Sequence, residues 1–262
     1  MQLIKAKILI NEKIRVKADF YLMELLAPAL AAEARPGQFM MLTAVTGESP
    51  FLKRPMGINA INRDRGTVRV IYKLAGKGTK AMSRLKAGER IDVLGPLGNG
   101  WNIDPIGTKS AVLVGGGSGI ATLLPLAQEL ERRDIAVDII LGGHSAEHII
   151  CVEEFSHQGR SLIATEDGTM GAKGRIDIFF SDEPHYDMAY ICGPLPMMKK
   201  AAAWAMAYDV PCQVSLEERM GCGFGVCMGC VCEHRDAEGE ISYQRVCREG
   251  PVFWAREVFF HG

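Results

Sequence analysis

Val112-Leu113-Val114-Gly115-Gly116-Gly117-Ser118-Gly119-Ile120-Ala121 is an apolar run that ends in a glycine-rich turn. With Ala111 ahead of it, the run carries no polar side chain, as a strand buried on both faces of a parallel sheet requires. Residues 120–132 then take up helical apolar spacing. Strand, glycine turn and helix in that order put backbone N–H groups and a helix N-terminus where a phosphate binds. The turn departs from the strict dinucleotide fingerprint. Counted from Gly115, its sixth position is Ile120, and Leu141-Gly142-Gly143-His144 stands where an acidic residue is expected after the second strand. Glycines that serve tight packing alone are the alternative reading.

Further along, apolar strands are expected at 137–141, 161–165 and 188–192, and a helix at 196–208. Alternating strand and helix means a doubly wound parallel sheet. The first 104 residues differ. Strand-like runs at 5–10, 21–26, 38–43, 57–62, 68–73 and 90–94 are separated by turn residues such as Arg35-Pro36-Gly37, with a short helix at 79–85. Six short strands at that spacing suggest a small antiparallel β-barrel. Gly95-Pro96-Leu97-Gly98-Asn99-Gly100 reads as a break, and Asp104-Pro105-Ile106-Gly107 as a linker. The expected fold class is therefore α+β multidomain, with an N-terminal antiparallel β-barrel over 1–104, an α/β parallel-sheet domain over 105–214, and a small cysteine- and glycine-rich subdomain over 215–262.

The chain has 262 residues, 48% hydrophobic and 23% charged, enough for two compact units and ordinary for a globular protein. Lys plus Arg number 30 against 31 Asp plus Glu, so no global field attracts nucleic acid. No apolar run reaches the roughly 18–20 residues that span a bilayer. The N-terminus MQLIKAKILINEKIRVK alternates apolar and polar residues and lacks a signal-peptide core. A cytoplasmic protein with no membrane partner is expected.

The eight cysteines decide the chemistry, because five fall between 222 and 247. Cys222, Cys227 and Cys230 read C-x4-C-x2-C, and Cys247 follows after 16 residues. This is the plant-type [2Fe–2S] spacing, three thiolates on one loop and a distant fourth. Gly221, Gly223, Gly225 and Gly229 let the backbone wrap a cluster closely. A zinc ribbon would need a second short knuckle, which is missing. Cys232 is a spare thiol that would replace Cys230 in a C-x4-C-x4-C register. His144-Ser145-Ala146-Glu147-His148 matches the H-x-x-E-H zinc-protease pattern, but no third ligand accompanies it.

A β-rich first half, a nucleotide-type second half and a plant-type cluster together resemble the ferredoxin reductase superfamily with a C-terminal iron–sulfur module. The finer motifs are similar to those of the electron-transfer subunits of type B dihydroorotate dehydrogenases, over essentially the whole chain. Arg54-Pro55-Met56-Gly57 resembles the family's Arg-Pro-x-Ser flavin motif. Ile71-Tyr72-Lys73 and Gly78-Thr79 match its two further FAD-contact segments. Gly115, Gly116, Gly117 and Gly119 match its NAD turn, and Cys192-Gly193-Pro194 its Cys-Gly-Pro motif beside the nicotinamide. Glu217-Glu218-Arg219-Met220-Gly221-Cys222 and Arg245-Val246-Cys247, with Gly250-Pro251-Val252-Phe253, are the most specific stretches. Three departures stand out: Gly57 for a hydroxyl residue, Thr122 where proline is frequent, and His144 where arginine is frequent. The planar fork of Arg54 suits a pyrophosphate, or else it is a surface arginine before a turn. Gly78-Thr79 offers N–H donors to the same phosphates, or plain helix capping.

The resemblance implies a subunit that passes electrons from FMN of a separate dihydroorotate dehydrogenase catalytic subunit, through [2Fe–2S] and FAD, to NAD+ in pyrimidine biosynthesis, within an α2β2 heterotetramer. No eight-fold βα barrel fits beside the three modules, so the chain is not expected to oxidise dihydroorotate alone. Met220, Phe224 and Met228 are expected partly exposed where the cluster loop meets the partner, unless they are packing beneath the cluster. Two rivals remain at this point. One is the small flavoprotein subunit of a sulfide dehydrogenase or NADH-dependent ferredoxin–NADP+ oxidoreductase; the other is a flavin-free iron–sulfur redox sensor.

Overall fold

The computed structural model describes residues 1–43, 50–103 and 107–259. Asp104, Pro105 and Ile106 of the expected linker, and with them the boundary between the first two units, lie outside the described residues.

The first unit is built from β1 (Gln2–Arg15), β2 (Phe20–Leu26), α1 (Pro28–Glu33), β3 (Phe39–Leu42), β4 (Arg54–Gly57), β5 (Ala60–Asn62), β6 (Thr67–Lys73), α2 (Lys77–Met82) and β7 (Arg90–Leu97). The strands form one antiparallel sheet in the order β4-β3-β7-β1-β2-β6-β5. Consecutive strands β4 and β5 lie at opposite edges, yet only Ile58 and Asn59 connect them. That short connection forces the sheet to curl, giving the barrel-like shape expected. It also explains why 57–62 is not one strand. Asn59 turns inward and is fully buried, donating to Ala121 O at 2.8 Å and accepting from Arg69 Nε at 2.5 Å. β7 continues through Gly95-Pro96 to Leu97 rather than breaking there, because it pairs with β1 and β3 along its length. Gly95 allows the close approach: a Cβ would sit 2.9 Å from Met40 Cβ. Ile8, Met23, Leu25, Met40, Leu42, Val70 and Val93 fill the interior, each such side chain contributing about 1.5–3 kcal/mol of burial.

The second sheet comprises β8 (Ser110–Gly116), β9 (Ala136–Gly143), β10 (Arg160–Thr165), β11 (Ala172–Lys173), β12 (Met188–Cys192), β13 (Cys212–Ser215) and β16 (Val252–Trp254). Its order is β11-β10-β9-β8-β12-β13-β16, parallel except for β16. α3 (Gly119–Arg132) covers one face through Leu123, Leu126 and Ala127. α4 (Val152–Ser156) lies between β9 and β10 in the chain, and α5 (Leu195–Ala207) covers the other face through Met198 and Ala202. The order reverses between β8 and β12, the switch point beyond whose carboxyl ends doubly wound sheets bind ligands.

β14 (Val231–Arg235) and β15 (Ile241–Arg245) form a separate hairpin, and α6 (Ala255–Val258) ends the described chain. Cys230, Val246, Cys247 and Phe253 share a core with β8 and α5. The last segment thus completes the central sheet through β16. No helix among the described residues is long and apolar enough to cross a membrane.

Candidate functional site

The turn after β8 meets the end of β12 in register, Gly115 opposite Cys192. Each glycine there has its own reason. A Cβ on Gly119 would collide with the backbone of Cys192 and Gly193, so helix and strand end touch only through glycine. A Cβ on Gly116 would sit 2.5 Å from Met197 Sδ and 3.1 Å from Pro194 Cδ, one on Gly115 would sit 3.1 Å from Leu123 Cδ1, and Gly117 adopts φ +56° over open space. A cleft of about 570 Å³ opens from this switch point. Gly117, Ser118, Gly193 and Pro194 form one wall, Phe20 and Lys73 of the barrel another, and Glu217, Glu218 and Cys232 a third. Gly115, Gly116, Gly119 and Cys192 do not line it; they shape the turn behind it.

A second cavity, of about 300 Å³, shares Lys73, Ser118, Leu216, Glu217 and Glu218 with the first. Here the barrel supplies Pro55, Met56, Gly57, Ile71 and Tyr72. The parallel-sheet unit adds Thr122 and Cys192, and the last segment adds Met220 and Pro251. Six of the nine residues assigned to FAD from the sequence therefore line one cavity, where three units of the chain meet. Arg54, Gly78 and Thr79 stand outside it but together: a Cβ on Gly78 would strike the Arg54 guanidinium. Arg54 donates to Leu52 O at 2.7 Å, and Thr79 Oγ1 accepts from Ala75 N at 2.9 Å as a local cap. What Gly78 and Thr79 have left for an anion is backbone N–H.

The two sequence departures near the flavin motif touch. A Cβ on Gly57 would run into Thr122 Cγ2, so Thr122 fills the space that a side chain at 57 would need. Thr122 is fixed there, its hydroxyl donating to Gly119 O at 2.9 Å and lying 3.2 Å from Cys192 Sγ. Burial pushes the Cys192 thiol up to about 12, so it stays neutral. Tyr72, stacked on Tyr21 at 5.6 Å, donates to Asn11 Oδ1 at 2.9 Å and is likewise raised, mainly by burial. Glu217 is exposed at the mouth where the clefts join. Their walls push its carboxyl above the ordinary range, partly offset by its hydrogen bond with Ser118. Glu217 and Ser118 sit where both cavities join, a role that no spacing rule signals, because the two residues are 99 positions apart in the chain.

The cysteine loop leaves β13 and bends through positive φ at Gly223, Gly225 and Met228. It is clamped from two sides. A Cβ on Gly223 would sit 2.5 Å from Met41 Cγ of the barrel, and one on Gly225 2.5 Å from Arg248 Cδ. Arg245, paired with Glu249, donates to Gly225 O at 2.8 Å, and Asn99 Nδ2 donates to Glu249 O at 2.8 Å. Within this frame the thiols fall into two pairs, Cys222 beside Cys227 and Cys230 beside Cys247. Cys230 and Cys247 are buried, Cys222 is half-buried and Cys227 is exposed. Phe224 N and Val226 N point at Cys222 Sγ, at 3.5 and 3.3 Å, and Cys247 N at Cys230 Sγ at 3.4 Å. Burial opposes ionisation of Cys222, but the N–H groups of Cys227, Phe224 and Val226 outweigh it and bring the thiol down to about 6. Cys247, lacking that balance, is pushed up to about 12, by burial first and by Cys230 second.

Among the described residues no three Cys, His, Asp or Glu side chains converge as a single metal ion requires. Two thiol pairs are instead what a two-iron centre needs, one pair for each iron, and the N–H groups aimed at sulfur suit a bridging anionic cluster. Cys232 belongs to neither pair; it lines the larger cleft, and burial raises it to about 11. His144 and His148 also form no metal site: His144 Nδ1 pairs with Glu166 at 3.1 Å, His148 Nδ1 with Ser145 Oγ at 3.1 Å, and Glu147 accepts from Lys17 N. Phe224, Val226 and Met228 are 39%, 71% and 51% exposed around the outward cysteine, with Met220 half-buried.

Residues 217–259, which hold both thiol pairs, match the model of the iron–sulfur cluster binding domain of dihydroorotate dehydrogenase B. Over 257 residues, 98% of both chains, the protein is 38% identical to the dihydroorotate dehydrogenase B (NAD(+)) electron transfer subunit of Caldanaerobacter subterraneus subsp. tengcongensis. It is 39% identical over 237 residues, 89% of this chain and 90% of the other, to the subunit of the same name from Bacillus caldolyticus. Among solved structures, a chain of the NADH-dependent reduced ferredoxin-NADP oxidoreductase superposes with a TM-score of 0.84 at 32% identity, covering 97% of this chain and 89% of that one. The cytochrome b5 reductase domain of Ulva prolifera nitrate reductase, at 16% identity and a TM-score of 0.62 over 76% of this chain and 89% of its own, shares the fold.

Proposed function

The chain belongs to the family of dihydroorotate dehydrogenase B electron transfer subunits, and from that premise we propose that it carries electrons from a partner catalytic subunit's FMN to NAD+ in the cytoplasmic synthesis of pyrimidines. The single observation that carries this reading is the meeting of three units at one place. The barrel and the parallel-sheet unit enclose two communicating cavities, and the segment leaving them holds the paired thiols. Bound FAD exchanges electrons as a hydride or singly, and a [2Fe–2S] cluster carries them one at a time.

The roles assigned to the chain's own residues follow. Arg54, with Gly78 and Thr79 N–H beside it, holds the FAD pyrophosphate, while Pro55, Met56, Gly57, Ile71, Tyr72 and Lys73 wall the isoalloxazine cavity. The turn Gly115, Gly116, Gly117 and Gly119 receives the NAD pyrophosphate, and Cys192, Gly193 and Pro194 shape the nicotinamide end. Cys222 and Cys227 ligate one iron, Cys230 and Cys247 the other. Because Cys227 is exposed while Cys230 and Cys247 are buried, the first pair faces the partner and the second faces the interior. Phe224, Val226 and Met228 are then the apolar surface on which the partner docks. An α2β2 heterotetramer accommodates this arrangement.

Mixing this chain with an FMN-containing dihydroorotate dehydrogenase subunit tests the reading. Dihydroorotate-dependent NAD+ reduction is expected only in the mixture, and Cys230→Ser should abolish it. Dihydroorotate oxidation by this chain alone, or undiminished activity without the cluster, would overturn the assignment. The rival with a specific observation behind it is the small subunit of an NADH-dependent ferredoxin–NADP oxidoreductase, through the superposition above; reduction of a ferredoxin partner with no response to dihydroorotate would favour it.

A further inference from the structure

Pro125 stands inside α3. Proline has no N–H, so the carbonyl four residues back, Ala121 O, lacks the donor that a helix ordinarily supplies. Ala121 is buried, and an acceptor left unpartnered there is costly. The missing donor comes from the other unit of the chain: Asn59 Nδ2 reaches Ala121 O at 2.8 Å. Arg69 fixes which way that amide points. A guanidinium only donates, so its Nε, 2.5 Å away, requires Oδ1 on its side and leaves Nδ2 for Ala121. Nδ2 also lies 3.7 Å from Cys151 Sγ, a thiol that burial pushes up to about 12 and so keeps neutral.

The rest of the surroundings hold Asn59 still. Its own N–H donates to Arg69 O at 2.8 Å, and Ile58 N donates to Gln38 O at 3.1 Å. Arg69 Nη2 continues to Glu154 Oε1 of α4 at 3.3 Å. Arg15 and Lys17 also bond across this boundary, to Ile149 O at 3.3 Å and Glu147 Oε2 at 3.1 Å, but nearer to solvent. The buried tie joins two parts of the site. Gly57, two residues before Asn59, and Thr122, next to Ala121, line the smaller cavity from opposite units, and a Cβ on Gly57 would strike Thr122 Cγ2. Gly119, two residues before Ala121, packs on the backbone of Cys192 and Gly193. A shift of α3 against the barrel would therefore carry the glycine turn and the end of β12 away from the barrel wall of the cavity.

Resting on the FAD and NAD reading above, we propose that Asn59 is a positioning residue for hydride transfer. By standing in for the N–H that Pro125 lacks, it ties the nucleotide-binding helix to the flavin-binding barrel and sets the approach of nicotinamide to flavin. In the reverse of the proposed flow, the C4–H bond of NADH breaks and its hydride passes to the flavin, leaving NAD+. A misplacement of 1 Å in such a step costs about 10²-fold in rate.

The test is stopped-flow reduction of the FAD-loaded chain by NADH and by NADH deuterated at C4. Denaturant unfolding and the dissociation constants of FAD and 5′-ADP are measured beside it. Asn59→Ala should be less stable and should slow the limiting rate of flavin reduction by about tenfold or more, with both dissociation constants nearly unchanged. Pro125→Ala restores a helical donor to Ala121 O. Added to Asn59→Ala, it should return stability toward wild type while the rate stays low, because the tie to the barrel is still missing. The charge-transfer absorbance of NAD+ stacked on reduced flavin should weaken in the same two variants. Pro125→Ala alone keeps the tie and should keep the wild-type rate. Asn59→Ala with the wild-type rate and isotope effect overturns the proposal, and so does a double variant that recovers the rate along with stability, since Asn59 would then serve the helix alone. A wild type that retains no FAD, or whose FAD is not reduced by NADH, overturns instead the cofactor reading on which the proposal rests.

Discussion

The cluster loop and the flavin cleft adjoin, Met220 lining the cleft two residues before Cys222, yet they are specified in opposite ways. Three of the four proposed cluster thiols come from nine consecutive residues, Cys222 to Cys230, and two of the loop's own N–H groups point at Cys222 Sγ. The flavin cleft takes walls from residues as far apart as Gly37 and Pro251, none of which is chemically obligatory alone. A site made of local ligands tolerates no substitution of a ligand but little depends on its surroundings. A site assembled by packing tolerates many substitutions if they compensate one another in space.

The sharpest way to break that contrast is to replace the thiols one at a time. Serine at Cys222, Cys227, Cys230 or Cys247 should remove most of the visible absorbance of the cluster, whereas Cys232→Ser, outside both pairs, should leave it nearly unchanged. Bleaching by Cys232→Ser with survival of Cys230→Ser would mean that the loop uses the other register.

The cleft should respond in smaller steps. Arg54→Ala removes a charge-assisted contact and is expected to weaken FAD retention by about 1.5–3 kcal/mol, read as the dissociation constant of the flavin. Flavin retention equal to wild type would remove the pyrophosphate role of Arg54. Gly57→Ser probes compensation directly. The added side chain meets Thr122 Cγ2, and Thr122 cannot rotate freely without giving up its bond to Gly119 O. Overpacking of this sort costs about 1–3 kcal/mol, and Gly57→Ser/Thr122→Ala should recover most of it in thermal unfolding. Equal losses in the single and double variants would show that the two positions are independent.

The same contrast governs what the sequence disclosed. The parallel sheet was legible because 111–114 is apolar throughout and its glycine turn is contiguous, and the proposed cluster ligands could be named because their spacing is itself the chemistry. Glu217 was not legible, since its partner Ser118 lies 99 positions before it and is brought close only by the fold. The expected single strand at 57–62 failed for a related reason. Alternation reads a run as extended, but Asn59 is buried by what it bonds, Arg69 of the barrel and Ala121 of α3, and those partners are set by closure of the barrel and its packing on the second unit. Strand β16 was missed because three residues of a cysteine-rich tail carry too little periodicity to announce that they complete a sheet begun at Ser110.

Glu217 belongs to both regions, opening the cluster segment and joining the two cavities, and gives the smallest and most discriminating effect. A glutamate in the unfolded chain titrates near about 4.3. In the folded protein the cleft walls raise it, with the Ser118 hydrogen bond offsetting part of the rise. A carboxyl whose folded value is raised holds its proton more tightly when folded, so its contribution favours folding most below the unfolded value. That contribution shrinks as pH climbs from there to the folded value, and above it the ionised carboxylate is held at a cost. Glu217→Gln removes the titration while keeping the shape. The variant should therefore be at least as stable as wild type at neutral pH, and the difference should narrow as the solution is acidified toward the unfolded value. Denaturant midpoints measured for both proteins across that range decide it: curves that run parallel at every pH would mean that the cleft walls leave Glu217 as free as a surface carboxylate, and that the junction of the two cavities is wetter than its lining suggests.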